Sequence, residues 1–110
     1  MPEYACVIQE GQTADRRRSE LAEGLKKIGH EAFGDDPTQT SISWVVVKKG
    51  FAWTAGEPST SSIVVRSVPV GLSLDLREAF MRGVCELWQN VTGCSIHEIV
   101  VTAWDGPLPL

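Results

Sequence analysis

One short pattern occurs twice in this chain, 60 residues apart: Gly11-Gln-Thr-Ala-Asp15 and Gly71-Leu-Ser-Leu-Asp75. Each stands between a strand-like run and a long amphipathic stretch. The glycine permits a sharp turn, and the acid falls in a first helical turn, where the helix dipole favours negative charge. Thr13 stands where an N-cap would. Before the first copy, residues 3–9 read as a strand; after it, Leu21, Leu25, Ile28 and Ala32 form one apolar stripe of a helix over 14–33. Gly34-Asp35-Asp36-Pro37 stops that helix, and residues 40–47 end in Trp44-Val45-Val46-Val47, a buried-strand signal. The second copy follows a strand over 63–68. It opens a helix striped by Leu76, Phe80, Val84, Leu87 and Val91, and residues 96–104 close the set as a strand. Between the halves, residues 51–61 are rich in turn formers and read as mobile.

Strand–turn–helix–turn–strand is the sequence of a right-handed β-α-β crossover. Two such units, residues 2–48 and 62–104, predict an α+β domain over 1–110: a four-stranded sheet with both helices on one face. A chain of 110 residues suffices for one domain and not for two. The second sheet face then has no cover. Strands as apolar as 44–47 and 63–65 predict that a partner subunit supplies it.

Composition narrows the partners. The formal net charge of −4 disfavours nucleic acid and anionic membrane, and Arg16-Arg17-Arg18, flanked by Asp15 and Glu20, reads as a solvated helix face. No apolar run approaches the ~18 residues of a membrane span, and the N-terminus lacks a basic-then-apolar leader. Cys6, Cys85 and Cys94 are odd in number and unpaired in spacing, which points to a reducing compartment, the cytoplasm. His30 and His97 with these cysteines make no metal-binding spacing, so no metal is expected.

The chain begins Met1-Pro2 directly before a strand. Methionine before proline is normally removed, which would leave Pro2 with a free secondary amine. Desolvation and nearby cations disfavour its protonated form, and such an amine can act as a general base near neutral pH or attack a carbonyl. This terminal proline, the duplicated β-α-β unit, Ile28-Gly-His-Glu-Ala-Phe-Gly34 and Phe51-Ala-Trp-Thr-Ala-Gly-Glu-Pro58 together resemble the tautomerase superfamily over residues 2 to about 105. The resemblance implies a cofactor-independent homotrimer acting on a small carbonyl compound, with Pro2 catalytic and His30 helping to bind substrate. Gln12, Pro69 and Leu72 stand where the family has arginines, which argues against dicarboxylate substrates and against dehalogenation.

Four side chains are candidates for substrate binding. Arg66 is the one arginine inside an expected strand and falls near a pocket-lining position of the family. It reads either as a bidentate clamp for a carboxylate or enolate, or as an edge-strand charge or inter-subunit ion pair. His30 lies roughly 200° from Ile28 around the helix, off the apolar stripe, where it faces substrate, solvent or an interface. Phe51 and Trp53, with Trp44, could wall an apolar pocket over Pro2; packing is the other reading, and it suits Trp44 better. The expected function is a keto–enol tautomerase (an isomerase) acting on a 2-keto acid or enol, with hydratase-like addition as a variant. The alternatives are a non-catalytic trimeric interaction protein on the same scaffold, and a dimeric ferredoxin-like cofactor-free monooxygenase.

Overall fold

A computed structural model describes residues 2–109; Met1, and with it the expectation of its removal, lies outside the described residues, as does Leu110. In chain order the elements are β1 (Glu3–Gln9), α1 (Thr13–Arg16), α2 (Arg18–Phe33), a 3-10 turn (Pro37–Gln39) and β2 (Ser41–Val47). A two-residue hairpin follows, β3 (Trp53–Thr54) and β4 (Glu57–Pro58), and then β5 (Ser62–Val68), α3 (Leu74–Thr92) and β6 (Ile99–Asp105).

The main sheet has the order β2-β1-β5-β6. Each unit's own strands are neighbours and parallel, and the two units meet antiparallel through β1 and β5. This is the expected α+β arrangement. It is not the ferredoxin-like one, in which the strands of each β-α-β unit are split by a strand of the other.

Alternation sorts the sheet's two faces. Tyr4, Cys6 and Ile8 of β1 and Val64 of β5 are fully buried and form one core with Leu21 and Leu25 of α2 and Phe80, Val84 and Trp88 of α3. On the other face the register aligns Val45, Val7, Ile63 and Val100 in one apolar row across all four strands. Val45, Ile63 and Val100 are 48%, 41% and 53% exposed. The expected bare face is therefore present, and it is apolar.

Several local expectations are corrected. The helix expected over 14–33 breaks at Arg17 (φ −117°, ψ 32°), whose guanidinium instead bonds Glu20 and the Val91 carbonyl. The N-cap is Gln12 rather than Thr13, with no side-chain cap; Asp15 accepts the Gly11 N–H at 2.9 Å. In the second unit Ser73 does cap its helix, accepting the Leu76 N–H. Leu76 itself is exposed, and Trp88 takes the core. Residues 51–61 are not merely turn-rich: Ala55 and Gly56 both adopt left-handed φ (51° and 81°), the requirement for a two-residue hairpin turn of type I′. The last strand starts at Ile99, after a turn closed by the Glu98 N–H to the Ser95 carbonyl.

Candidate active site

Pro2 is held by the sheet. Its carbonyl accepts the Ser41 N–H at 2.9 Å, so the β1–β2 ladder continues to residue 2 and leaves the proline nitrogen at the sheet's end. There a cavity of about 500 Å³ opens, lined by Pro2, Glu3, Asp35, Arg66, Pro69 and Gly106 among others. Its far wall is fixed by backbone: the Gly106 N–H bonds the Val68 carbonyl, and Arg77 reaches from α3 to the Leu72 and Ala103 carbonyls and to the Asp105 carboxylate.

Arg66 stands opposite Tyr4 in the sheet register, on the helix-facing side. A guanidinium there is only 3% exposed and must find partners in the core. It donates two bonds to Asp35, Nη2 to Oδ1 at 2.9 Å and Nη1 to Oδ2. Nη1 also donates to the Tyr4 hydroxyl at 3.2 Å, and Nε donates to the Ser67 carbonyl at 2.8 Å. Three rings surround the cation, with the Phe33 centroid 4.8 Å from Cζ, Tyr4 at 5.2 Å and Phe80 at 5.7 Å. Burial opposes the charge on Arg66, but the bonds and charges of Asp35 and Tyr4 outweigh it, so its pKa rises above the ordinary arginine value. Tyr4 donates in turn to the Leu25 carbonyl, and burial pushes its phenol up to about 12.

The turn after α2 presents Asp35. Gly34 caps the helix in the left-handed region (φ 70°), the Asp35 N–H bonds the Gly29 carbonyl, and His30 Nδ1–H donates to the Asp35 carbonyl at 2.9 Å. Gly29 gives the cluster its room, because a Cβ there would meet Asp35 Oδ2, the Tyr4 hydroxyl at 2.8 Å and Arg66 Nη1 at 3.1 Å.

Of the residues singled out in the sequence, Pro2 and Arg66 are brought to one cavity. His30 reaches that cavity only through its bond to the Asp35 backbone; its ring borders a different, shallow surface depression with Glu23 and Lys26. Phe51 and Trp53 are 78% and 62% exposed on the hairpin and its approach, and within one chain neither lines the Pro2 cavity. The Trp53 indole N–H bonds the Gly50 carbonyl. Sequence reading missed Asp35, Tyr4 and Gly29. In sequence Asp35 reads only as part of a helix stop, although an arginine at an inward-facing strand position calls for a carboxylate somewhere. Among the described residues no group of three His, Cys, Asp or Glu side chains could hold a metal ion, and no helix is long and apolar enough to cross a membrane.

No protein-family model matches the sequence, and no curated protein matches it. Solved structures do match in fold. Native Ps01740 superposes with a TM-score of 0.86 at 27% identity, over 96% of this chain and 94% of that one. A wild-type fused 4-OT, described as a symmetric trimer, gives 0.82 at 16% identity over 96% and 85%. N1, a member of the cis-3-chloroacrylic acid dehalogenase family, gives 0.84 at 13% identity over 96% and 75%. The chain thus has the fold that the 4-OT and cis-3-chloroacrylic acid dehalogenase proteins share, the tautomerase fold that the resemblance in its sequence led one to expect.

Proposed function

We propose that this protein is a keto–enol tautomerase of a small carbonyl or enol compound, with the amine of Pro2 as its general base. The observation that carries the reading is the position of Pro2: pinned by the ladder, on the wall of a cavity that also holds a buried cation. Once Met1 is removed, partial desolvation and Arg66 disfavour the ammonium form, while Glu3 and Asp35 oppose them. The neutral nitrogen takes a proton from the carbon alpha to the carbonyl and returns it at the far end of the enol system. A guanidinium or backbone N–H holds the enolate oxygen meanwhile. Addition of water across an activated alkene is a variant on the same site. The chemistry calls for no cofactor.

The apolar row Val45–Val7–Ile63–Val100 supports assembly as a homotrimer in which neighbouring subunits cover the bare sheet face. Light scattering should return three 12.0-kDa chains; a monomer mass would contradict this. The catalytic reading is tested by Pro2→Ala, which should lower turnover of simple enols by at least about 100-fold with the assembly intact. Wild-type protein with no activity above buffer across enols and activated alkenes would favour the interaction-protein reading instead.

A further inference from the structure

We propose that Asp35 is an internal carboxylate ligand of Arg66 that closes the guanidinium to ligand carboxylates and makes the Pro2 cavity select neutral carbonyl compounds. The cavity's role as the site rests on the proline reading above; the occupancy of Arg66 does not.

Arg66 has few donors to spare. A guanidinium has five N–H groups in a fixed fork. In Arg66 Nε–H goes to Ser67, both Nη1–H groups go to Asp35 and Tyr4, and one Nη2–H goes to Asp35. One Nη2–H remains without a partner among the described residues. A ligand carboxylate needs two parallel donors to be held as Asp35 is held, whereas a ketone, aldehyde or enol oxygen needs one. The charges agree. Besides the Pro2 amine, the ionisable cavity lining is one cation, Arg66, against two carboxylates, Asp35 and Glu3. A third carboxylate, entering with a ligand, would be desolvated beside a surplus of negative charge.

Asp35 is also built to stay. Its side chain is 7% exposed, its N–H and C=O are both bonded, and Gly29 leaves space for its oxygens and no more. A carboxylate on a residue held at four points within its own chain outcompetes a free one, because its ordering entropy is spent in folding. Asp35 is thus a positioning and specificity-determining residue, acting through Arg66.

The test separates occupancy from chemistry. Asp35→Ala should melt below wild type. Formate should then raise its melting temperature, saturably, beyond chloride at equal ionic strength, because formate refills the vacated fork. Wild type and the double variant Asp35→Ala/Arg66→Met should show no such excess. If Asp35→Ala does not fold in chloride, the readout becomes its refolding yield, which formate and not chloride should restore. An equal response in wild type and variant, or none in the variant, would overturn the proposal.

Selectivity is read from alkylation of the N-terminal amine by 3-pentyn-2-one and by its carboxylate counterpart 2-oxo-3-pentynoate. In each case the nitrogen bonds the distal alkyne carbon, the π electrons pass to the alpha carbon, and that carbon takes up a proton as nitrogen loses its own. With rates normalised to prolinamide in buffer, wild type should favour the neutral ynone, and Asp35→Ala should shift the ratio at least tenfold toward the carboxylate. A wild-type preference for the carboxylate overturns the proposal. Labelling by neither reagent overturns the proline reading and leaves the formate result to stand for Arg66.

Discussion

Two cavities lie at opposite ends of the antiparallel β1–β5 pair, each beside the start of one unit's first strand and the turn after that unit's long helix. The first, about 500 Å³, holds Pro2, Asp35 and Arg66; the second, about 210 Å³, holds Ser62, Cys94 and Glu98. The turns themselves match, with Gly34 and Gly93 capping their helices at φ 70° and 72°. The residues around them do not. Asp35 follows the first glycine and Cys94 the second. Five residues before each glycine stand Gly29, which leaves room for a buried ion pair, and Trp88, which is 1% exposed and fills the core. In the second cavity Glu98 is held by Thr60 at 2.6 Å and by the Ser95 N–H, interactions that keep its carboxyl below the usual range. The duplication supplies two equivalent turns, and residues that break the repeat put a buried ion pair beside only one of them.

Paired substitutions should expose that asymmetry. The largest expected effect is at Asp35. Removing it strands a buried guanidinium, so Asp35→Ala should lose about 3–5 kcal/mol in urea unfolding, whereas Cys94→Ala, with no charge partner, should lose less than about 1.5 kcal/mol. Equal losses would mean that the Asp35–Arg66 pair contributes nothing specific. Next comes glycine. Gly29→Ala drives a methyl into Asp35, Tyr4 and Arg66, atoms already committed to one another, and should cost about 1–3 kcal/mol. Gly24→Ala meets only the movable end of Leu87 and gains helix propensity, so it should fall within about 1 kcal/mol of neutral. A smaller effect appears at high pH. Tyr4 is the chain's only tyrosine, and burial first of all raises its pKa from 10.0 to about 12. Cys6 is raised by burial from 9.0 to about 12. Folding thus favours both neutral forms: their contribution is complete below pH 9 and is lost as pH rises toward 12. Tyrosinate absorbance in the folded protein should therefore titrate late, and a midpoint at the free-phenol value would show that Tyr4 is not sealed.

The fold was legible because repetition and periodicity are local signals. Gly11 and Gly71 mark both strand-to-helix turns, at φ 79° and 86°, and the stripes Leu21–Leu25 and Phe80–Val84 face the core as their spacing requires. The break at Arg17 was not legible, because its guanidinium is held by the Val91 carbonyl at the far end of α3. The same holds for the site. Pro2 and Arg66 could be singled out by residue type, one by its nitrogen and one by its charge inside a strand. That Asp35 answers Arg66 depends on a contact 31 residues apart in sequence, made by a helix crossing that no local pattern encodes. Nor does residue type show that, within one chain, His30 Nδ1 and the Trp53 indole nitrogen bond the backbone carbonyls of Asp35 and Gly50.

The amine of Pro2 is the group on which catalysis would turn. Protein expressed in its native form should have the intact mass of the chain without Met1. Its reaction with 3-pentyn-2-one, mapped by peptide mass spectrometry, should fall on residue 2, at a rate that rises through a midpoint nearer neutrality than that of prolinamide. A retained methionine, or a label on cysteine with Pro2 unmodified, would contradict the central claim.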